Sequence, residues 1–149
     1  MGSYKGFPMK KYLLTIFFAL FSINLALAAK LTLINNFNTD LIITLANGAN
    51  LVKKPDPADF PLTLASADRL KLELKLQKNN PTDSEVYFQI SSPQNTTYAG
   101  FFGATLIGNS IQINGYISKG IAFSWDNDSE PTLIFCTHDY YMNNDFSCS

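Results

Sequence analysis

Between residues 69 and 77 apolar and polar side chains alternate without a slip: Arg69-Leu70-Lys71-Leu72-Glu73-Leu74-Lys75-Leu76-Gln77. A strand sends successive side chains to opposite faces, so these leucines share a buried face and the charges a wet one. A helix, turning about 100° per residue, would scatter the same leucines around its circumference. Shorter runs of this kind at 30–34, 41–45, 60–64, 86–90, 105–107, 110–113, 120–125 and 132–136 bring the expectation to eight or nine short strands. Ile121, Phe123 and Trp125 fall on one face of their run, as do Leu133 and Phe135 on theirs.

Turn chemistry separates the runs. Asn35-Asn36, Asn47-Gly48, Pro55-Asp56-Pro57, Asn79-Asn80-Pro81, Ser92-Pro93, Gly108-Asn109 and Asn114-Gly115 supply φ-fixing proline or residues that tolerate the left-handed region. Asn47-Gly48 and Asn114-Gly115 read as tight hairpin turns. Gly100-Phe101-Phe102-Gly103 reads as a bend or bulge, with its two rings on opposite sides. Residues 53–61 read as a long exposed loop with a short helical turn inside 56–60. Strands this closely spaced with no helices between them predict an all-β, single-domain antiparallel β-sandwich of Greek-key or jelly-roll-like connection.

The first 28 residues follow another pattern. Lys10 and Lys11 precede an apolar run over 13–27 that ends in Ala26-Leu27-Ala28, the three parts of a cleavable signal peptide. Fifteen helical residues span about 22 Å, short of a bilayer core of about 30 Å, so no membrane span is expected after cleavage. Residues 1–28 are therefore read as an upstream extension plus signal peptide, and 29–149 as one domain, secreted or periplasmic. The exported chain should begin at Ala29 or Lys30. About 120 residues make one core and exclude a two-domain dehydrogenase or a TIM barrel.

Removing the leader changes the charge. Lys5, Lys10 and Lys11 go with it, leaving 8 basic against 12 acidic residues, and no Lys or Arg follows Lys119. A face able to track phosphates is missing, which argues against nucleic acid as a partner.

Catalytic signals are sparse. His138 is the only histidine, and Cys136-Thr137-His138 with Asp139 or Asp145 would suit a thiol enzyme if Cys136 were a free thiolate. In an exported chain with two cysteines, a Cys136–Cys148 disulfide is the favoured reading. The same residues, Cys136, His138 and Cys148 with Asp139 or Asp145, have donor types for zinc but lack a paired C-x-x-C. Asp126, Asp128 and Glu130 form an oxygen-rich turn that suggests calcium. Pro131 stands where an EF-hand needs glycine, and Thr137 where it needs the bidentate glutamate. No G-x-S-x-G elbow is present, and a carboxylate pair for glycoside hydrolysis has no sequence address. The expectation is thus a protein that needs no cofactor and leans away from catalysis.

Aromatic residues crowd the second half. Tyr98, Trp125, Tyr140 and Tyr141 stand beside turns, where a flat ring with a polar handle can meet a glycan, a lipid headgroup or a protein surface. The functional expectation is a small exported, non-enzymatic binding module acting through these loop aromatics. The alternatives are a small secreted hydrolase or thiol enzyme at Cys136 and His138, and a membrane-active sandwich. The opening Leu31-Thr32-Leu33-Ile34-Asn35-Asn36, a strand ending in a polar turn just after the leader, resembles the start of secreted β-sandwich families, including thaumatin-like and aegerolysin-like proteins. Thaumatin-like proteins carry many disulfides and this chain at most one, so the resemblance implies no function and no site residue.

Overall fold

The computed structural model describes residues 28–75, 84–107, 110–126 and 131–149. The apolar leader, the end of the leucine run and the stretch Asn127-Asp128-Ser129-Glu130 lie outside them. Two five-stranded sheets pack face to face. The first orders β3 (Val52–Lys54), β5 (Arg69–Lys75), β1 (Ala28–Asn35), β10 (Thr132–Thr137) and β9 (Ile121–Asp126); the second orders β4 (Leu62–Leu64), β2 (Leu41–Asn47), β6 (Glu85–Ser91), β7 (Ala99–Ile107) and β8 (Ser110–Lys119). The β-sandwich expectation holds. Two details differ from it: the described residues contain ten strands, and β1 pairs β10 in parallel, Thr32 with Thr132 through Asn35 with Phe135.

Alternation builds the core as the pattern demands. Leu72 and Leu74 of β5, Leu31 and Leu33 of β1, and Leu133 and Phe135 of β10 are fully buried between the sheets, opposite Phe88, Phe102 and Ala104. Phe60, Phe88, Phe102 and Phe135 form a chain of ring contacts with centroids 5.1 to 6.0 Å apart, running through β6 and β7 and across to the first sheet. Fully burying a phenylalanine, as at Phe88, Phe102 and Phe135, contributes about 1.5–3 kcal/mol, so this row is a main tie between the layers.

The departures have local causes. Asn47-Gly48 is a turn, with Gly48 at φ 80°, but it opens a 3₁₀ turn (Ala49–Leu51) and carries the chain to the other sheet instead of folding a hairpin. Val52, 3% exposed, docks β3 on β5, so part of the expected loop 53–61 is strand; three residues are too few to show a period. The helical turn inside 56–60 is a 3₁₀ turn (Pro57–Asp59) capped by Asp56. Asn114-Gly115 is not a turn: β8 runs through it, and a bulge there sets Gly103 opposite Asn114 and Phe102 opposite Tyr116. The bend-or-bulge reading of 100–103 thus holds on the β7 side, and Phe102 points into the core while Phe101 lies half-exposed on the outside.

The element that the period missed is α1 (His138–Asn143). Thr137 caps it, its hydroxyl accepting from the Tyr140 N–H at 3.2 Å, and Asp139 sits in the first turn. Thr137 followed by an acid is a legible start signal, but six residues give too little apolar periodicity to read.

Candidate functional site

Two surfaces combine exposed aromatics with fixed geometry. The first is the C-terminal segment. After β10 the chain turns through α1 and folds back over the outer face of the first sheet, where Cys148 joins Cys136 in a disulfide, Cα–Cα 5.4 Å. This clamp covers a small second apolar cluster of Ala122, Ile134, Cys136 and Cys148, flanked by Ile34 and Tyr141. Asn36 Nδ2 donates to the Cys148 carbonyl, the Cys148 N–H donates to Ser124 Oγ at 3.2 Å, and the Phe146 N–H donates to the Tyr141 carbonyl at 3.0 Å. Held this way, Tyr140, Met142 and Phe146 stand out into solvent, 47%, 50% and 61% exposed. Asp145 and Phe146 adopt left-handed backbone, φ 51° and 59°, a conformation that costs non-glycine residues energy and is kept here by the surrounding bonds.

The structure brings three of the four sequence-selected aromatics to one end. Tyr140 is exposed, and Tyr141 is half-buried in an edge contact with Phe146 at 5.7 Å. Tyr98 sits at the same end: Gly120, whose carbonyl accepts from the His138 N–H, lies so close that a Cβ on it would fall 2.5 Å from Tyr98 Cδ1. Tyr98 also packs edge-on against Phe37 and the main core, so its ring is largely a core ring. Trp125 is elsewhere. Its partner is Leu133 near the start of β10, about 13 Å along β9 from Ile121, and it packs on the core.

The metal and thiol readings meet the same geometry. With both sulfurs in one bond, Cys136 offers neither a thiolate to His138 nor a zinc ligand; the ring belongs to an exposed first helical residue. Asp126 ends β9 at the far end, and Asp128 and Glu130 lie outside the described residues. Among the described residues, no three His, Cys, Asp or Glu side chains converge to hold a metal ion. Nor is any described helix long and apolar enough to cross a membrane.

The second surface is the outer face of the second sheet. Tyr87 of β6 and Phe101 of β7 stack with ring centroids 5.4 Å apart and planes within 12°. They are diagonal neighbours: Tyr87 pairs with Gly103 and Gln89 with Phe101. A Cβ on Gly103 would fall 2.6 Å from Tyr87 Cε1, so the tyrosine ring fills room that any side chain at 103 would take. Tyr87 Oη donates to Glu85 Oε2 at 2.5 Å, Thr105 Oγ1 donates to Glu85 Oε1 at 3.5 Å, and Asn114 Nδ2 donates to Thr105 Oγ1. The carboxylate of Glu85 is thereby held from its own strand and from β7, and Thr105 in turn from β8. Its hydrogen bond to the hydroxyl, helped by desolvation and by its charge, pushes the Tyr87 phenol above its ordinary range.

A hollow lies on each side of the stacked pair. One, of about 340 Å³, is bordered by Gln89, Phe101 and Lys119; the other, of about 280 Å³, by Asn47, Asn50, Glu85 and Tyr87. Sequence reasoning passed over Tyr87. The signal was an aromatic at a wet position of an alternating strand, Glu85-Val86-Tyr87-Phe88-Gln89, where Phe88 accounts for the core and Tyr87 does not. No protein-family model matches this chain, and a search of curated proteins finds no significant relative.

Proposed function

We propose that this protein is exported and works as a non-enzymatic binding module that engages a protein partner through its C-terminal end. The observation that carries the reading is the set Tyr140, Met142 and Phe146, half or more exposed on a segment pinned by the Cys136–Cys148 disulfide. Apolar and aromatic side chains held rigidly lose little entropy on contact, which is what an interaction surface needs. Asp139 and Asp145 flank them and no Lys or Arg follows Lys119, so a basic partner surface complements this end and an anionic membrane does not. Export is supported by the leader pattern together with the disulfide, which persists in oxidising compartments.

Photocrosslinking residues placed at 140 and 146 in the exporting cell test this. Ile107, also exposed but at the far end of β7, about 27 Å from Ala99, is the control position. A discrete protein adduct from 140 and 146, absent from 107 and weakened by Asp139→Lys with Asp145→Lys, is the expected result. Equal labelling at all three positions refutes the reading. Loss of the adduct with gain of partition onto phosphatidylcholine vesicles would transfer the surface to lipid.

A further inference from the structure

We propose a second, separate binding site: the outer face of the second sheet, centred on Tyr87 and Phe101, takes an uncharged, extended oligosaccharide. Alternation along β6 sends Glu85, Tyr87 and Gln89 to the outer face, spaced about 7 Å apart. Cross-strand pairing explains why an aromatic at 87 is tolerated opposite Gly103, but it does not explain the hydrogen-bonded carboxylate beside it. A sugar in which the hydroxyls are equatorial has apolar C–H faces and a polar rim. The site mirrors that division: the ring faces that the Tyr87–Phe101 stack leaves open for the C–H face, and the Glu85 carboxylate and Gln89 amide for the hydroxyls.

Preorganisation is the second argument. Glu85 accepts from Tyr87 and Thr105, and Asn114 orients Thr105, so the carboxylate is positioned before any ligand arrives. Each of its oxygens keeps a lone pair for a sugar hydroxyl, and little side-chain entropy is lost on binding. The hollows beside Phe101 and beside Tyr87 extend the contact along the strand on both sides, which favours a chain over a single ring.

The competing occupants fit less well. A second copy of this chain would need roughly 800 Å² of complementary surface per partner with a core depleted of charge. Here the charged Glu85 lies within the patch beside Tyr87, with exposed Gln89 and Gln112 on the same face. The same carboxylate disfavours anionic sugars by like-charge repulsion.

Calorimetric titration of the mature protein with cellohexaose, laminarihexaose and chitohexaose, and with a hexamer of galacturonic acid as the anionic counterpart, tests the proposal. At least one neutral hexasaccharide is expected to bind. Phe101→Ala should weaken that binding about tenfold or more, and Glu85→Gln severalfold. Tyr87→Phe, which keeps the ring but releases Glu85, should weaken it less than Phe101→Ala. Absence of binding by all three neutral hexamers at about 10 mM, a drop in affinity of less than twofold for Phe101→Ala, or binding of the anionic hexamer alone would each overturn the proposal. If Phe101→Ala loses its far-ultraviolet circular dichroism, Glu85→Gln decides the matter: unchanged affinity rejects the site. Phe146→Ser should leave sugar affinity unchanged, which separates this site from the C-terminal one.

Discussion

Removing the disulfide by Cys136→Ala with Cys148→Ala should release the C-terminal segment while leaving the sandwich folded. The bond closes a loop with a sequence separation of 12. In the chain-entropy treatment, a crosslink over such a loop contributes about 3 kcal/mol. For a domain of roughly 120 residues, with an unfolding entropy of about 2.1 cal/mol/K per residue, that corresponds to a fall in Tm of about 12 °C. Without the bond, the ties left at Cys148 are the hydrogen bonds to Asn36 Nδ2 and Ser124 Oγ, worth about 1 kcal/mol each, so this segment should open locally far more often than the strands. A six-residue helix has no independent stability either. Thermal unfolding followed by circular dichroism gives the shift, and amide exchange locates it. The Phe146 and Cys148 amides should lose protection, while those of β1, paired on both sides, keep theirs. A Tm change under about 3 °C, or a Cys148 amide still protected in the double variant, would refute the reasoning.

Other perturbations test other parts of the structure. Asn35, fully buried, donates to the carbonyls of Thr39, Leu64 and Ala65 and accepts from the Phe37 N–H; Asn35→Leu should lower stability by about 3 kcal/mol in urea unfolding, and a loss under about 1 kcal/mol would mean these groups find other partners. Gly103→Ala sets a methyl 2.6 Å from the Tyr87 ring and 2.9 Å from the Asn114 carbonyl oxygen; a cost of about 1–3 kcal/mol with altered tyrosine circular dichroism is expected. Tyr87 should ionise above the ordinary phenol range, and Glu85→Gln should bring it back down, as read from tyrosinate absorbance. Because its folded value is raised, this hydrogen bond stabilises fully below the unfolded phenol pKa of about 10, and its contribution disappears as pH rises through the folded value. N-terminal sequencing of the exported chain should return Ala29 or Lys30, and Met1 or Met9 would show that no cleavage occurs there.

The long strands were readable because one buried face repeats with period two. Leu72 and Leu74, Ile121 and Phe123, and Leu133 and Phe135 fall where alternation puts them. The segments that escaped are short or double-valued. Val52–Lys54 and His138–Asn143 contain too few residues for a period, and Asn114-Gly115 serves a bulge as well as it would a hairpin. The disulfide followed from the expected compartment and the cysteine number, and it removes Cys136 from any thiol chemistry. The aromatic surface was half legible. Proximity to turns selected Tyr140 and Tyr141, which do lie at a solvent-facing end, but also Trp125, which alternation already assigned to the core face. Tyr87 was hidden because its partner Phe101 is 14 residues away, and only the register of β6 on β7 brings the rings together.

The parallel pairing of β1 with β10 also has a consequence in time. The earliest strand of the domain lies between β5 and β10, and Thr32 finds Thr132 a hundred residues downstream. Until the last strand is available the first sheet is open along β1, and closing a loop of this length precedes the contacts that reward it. A chain threaded outward N-terminus first would therefore stay unfolded until almost all of it had crossed, the state a narrow export channel accepts. Truncation before Thr132 should yield no stable sandwich at all. The same late closure makes the final residues the ones that decide whether the whole molecule folds.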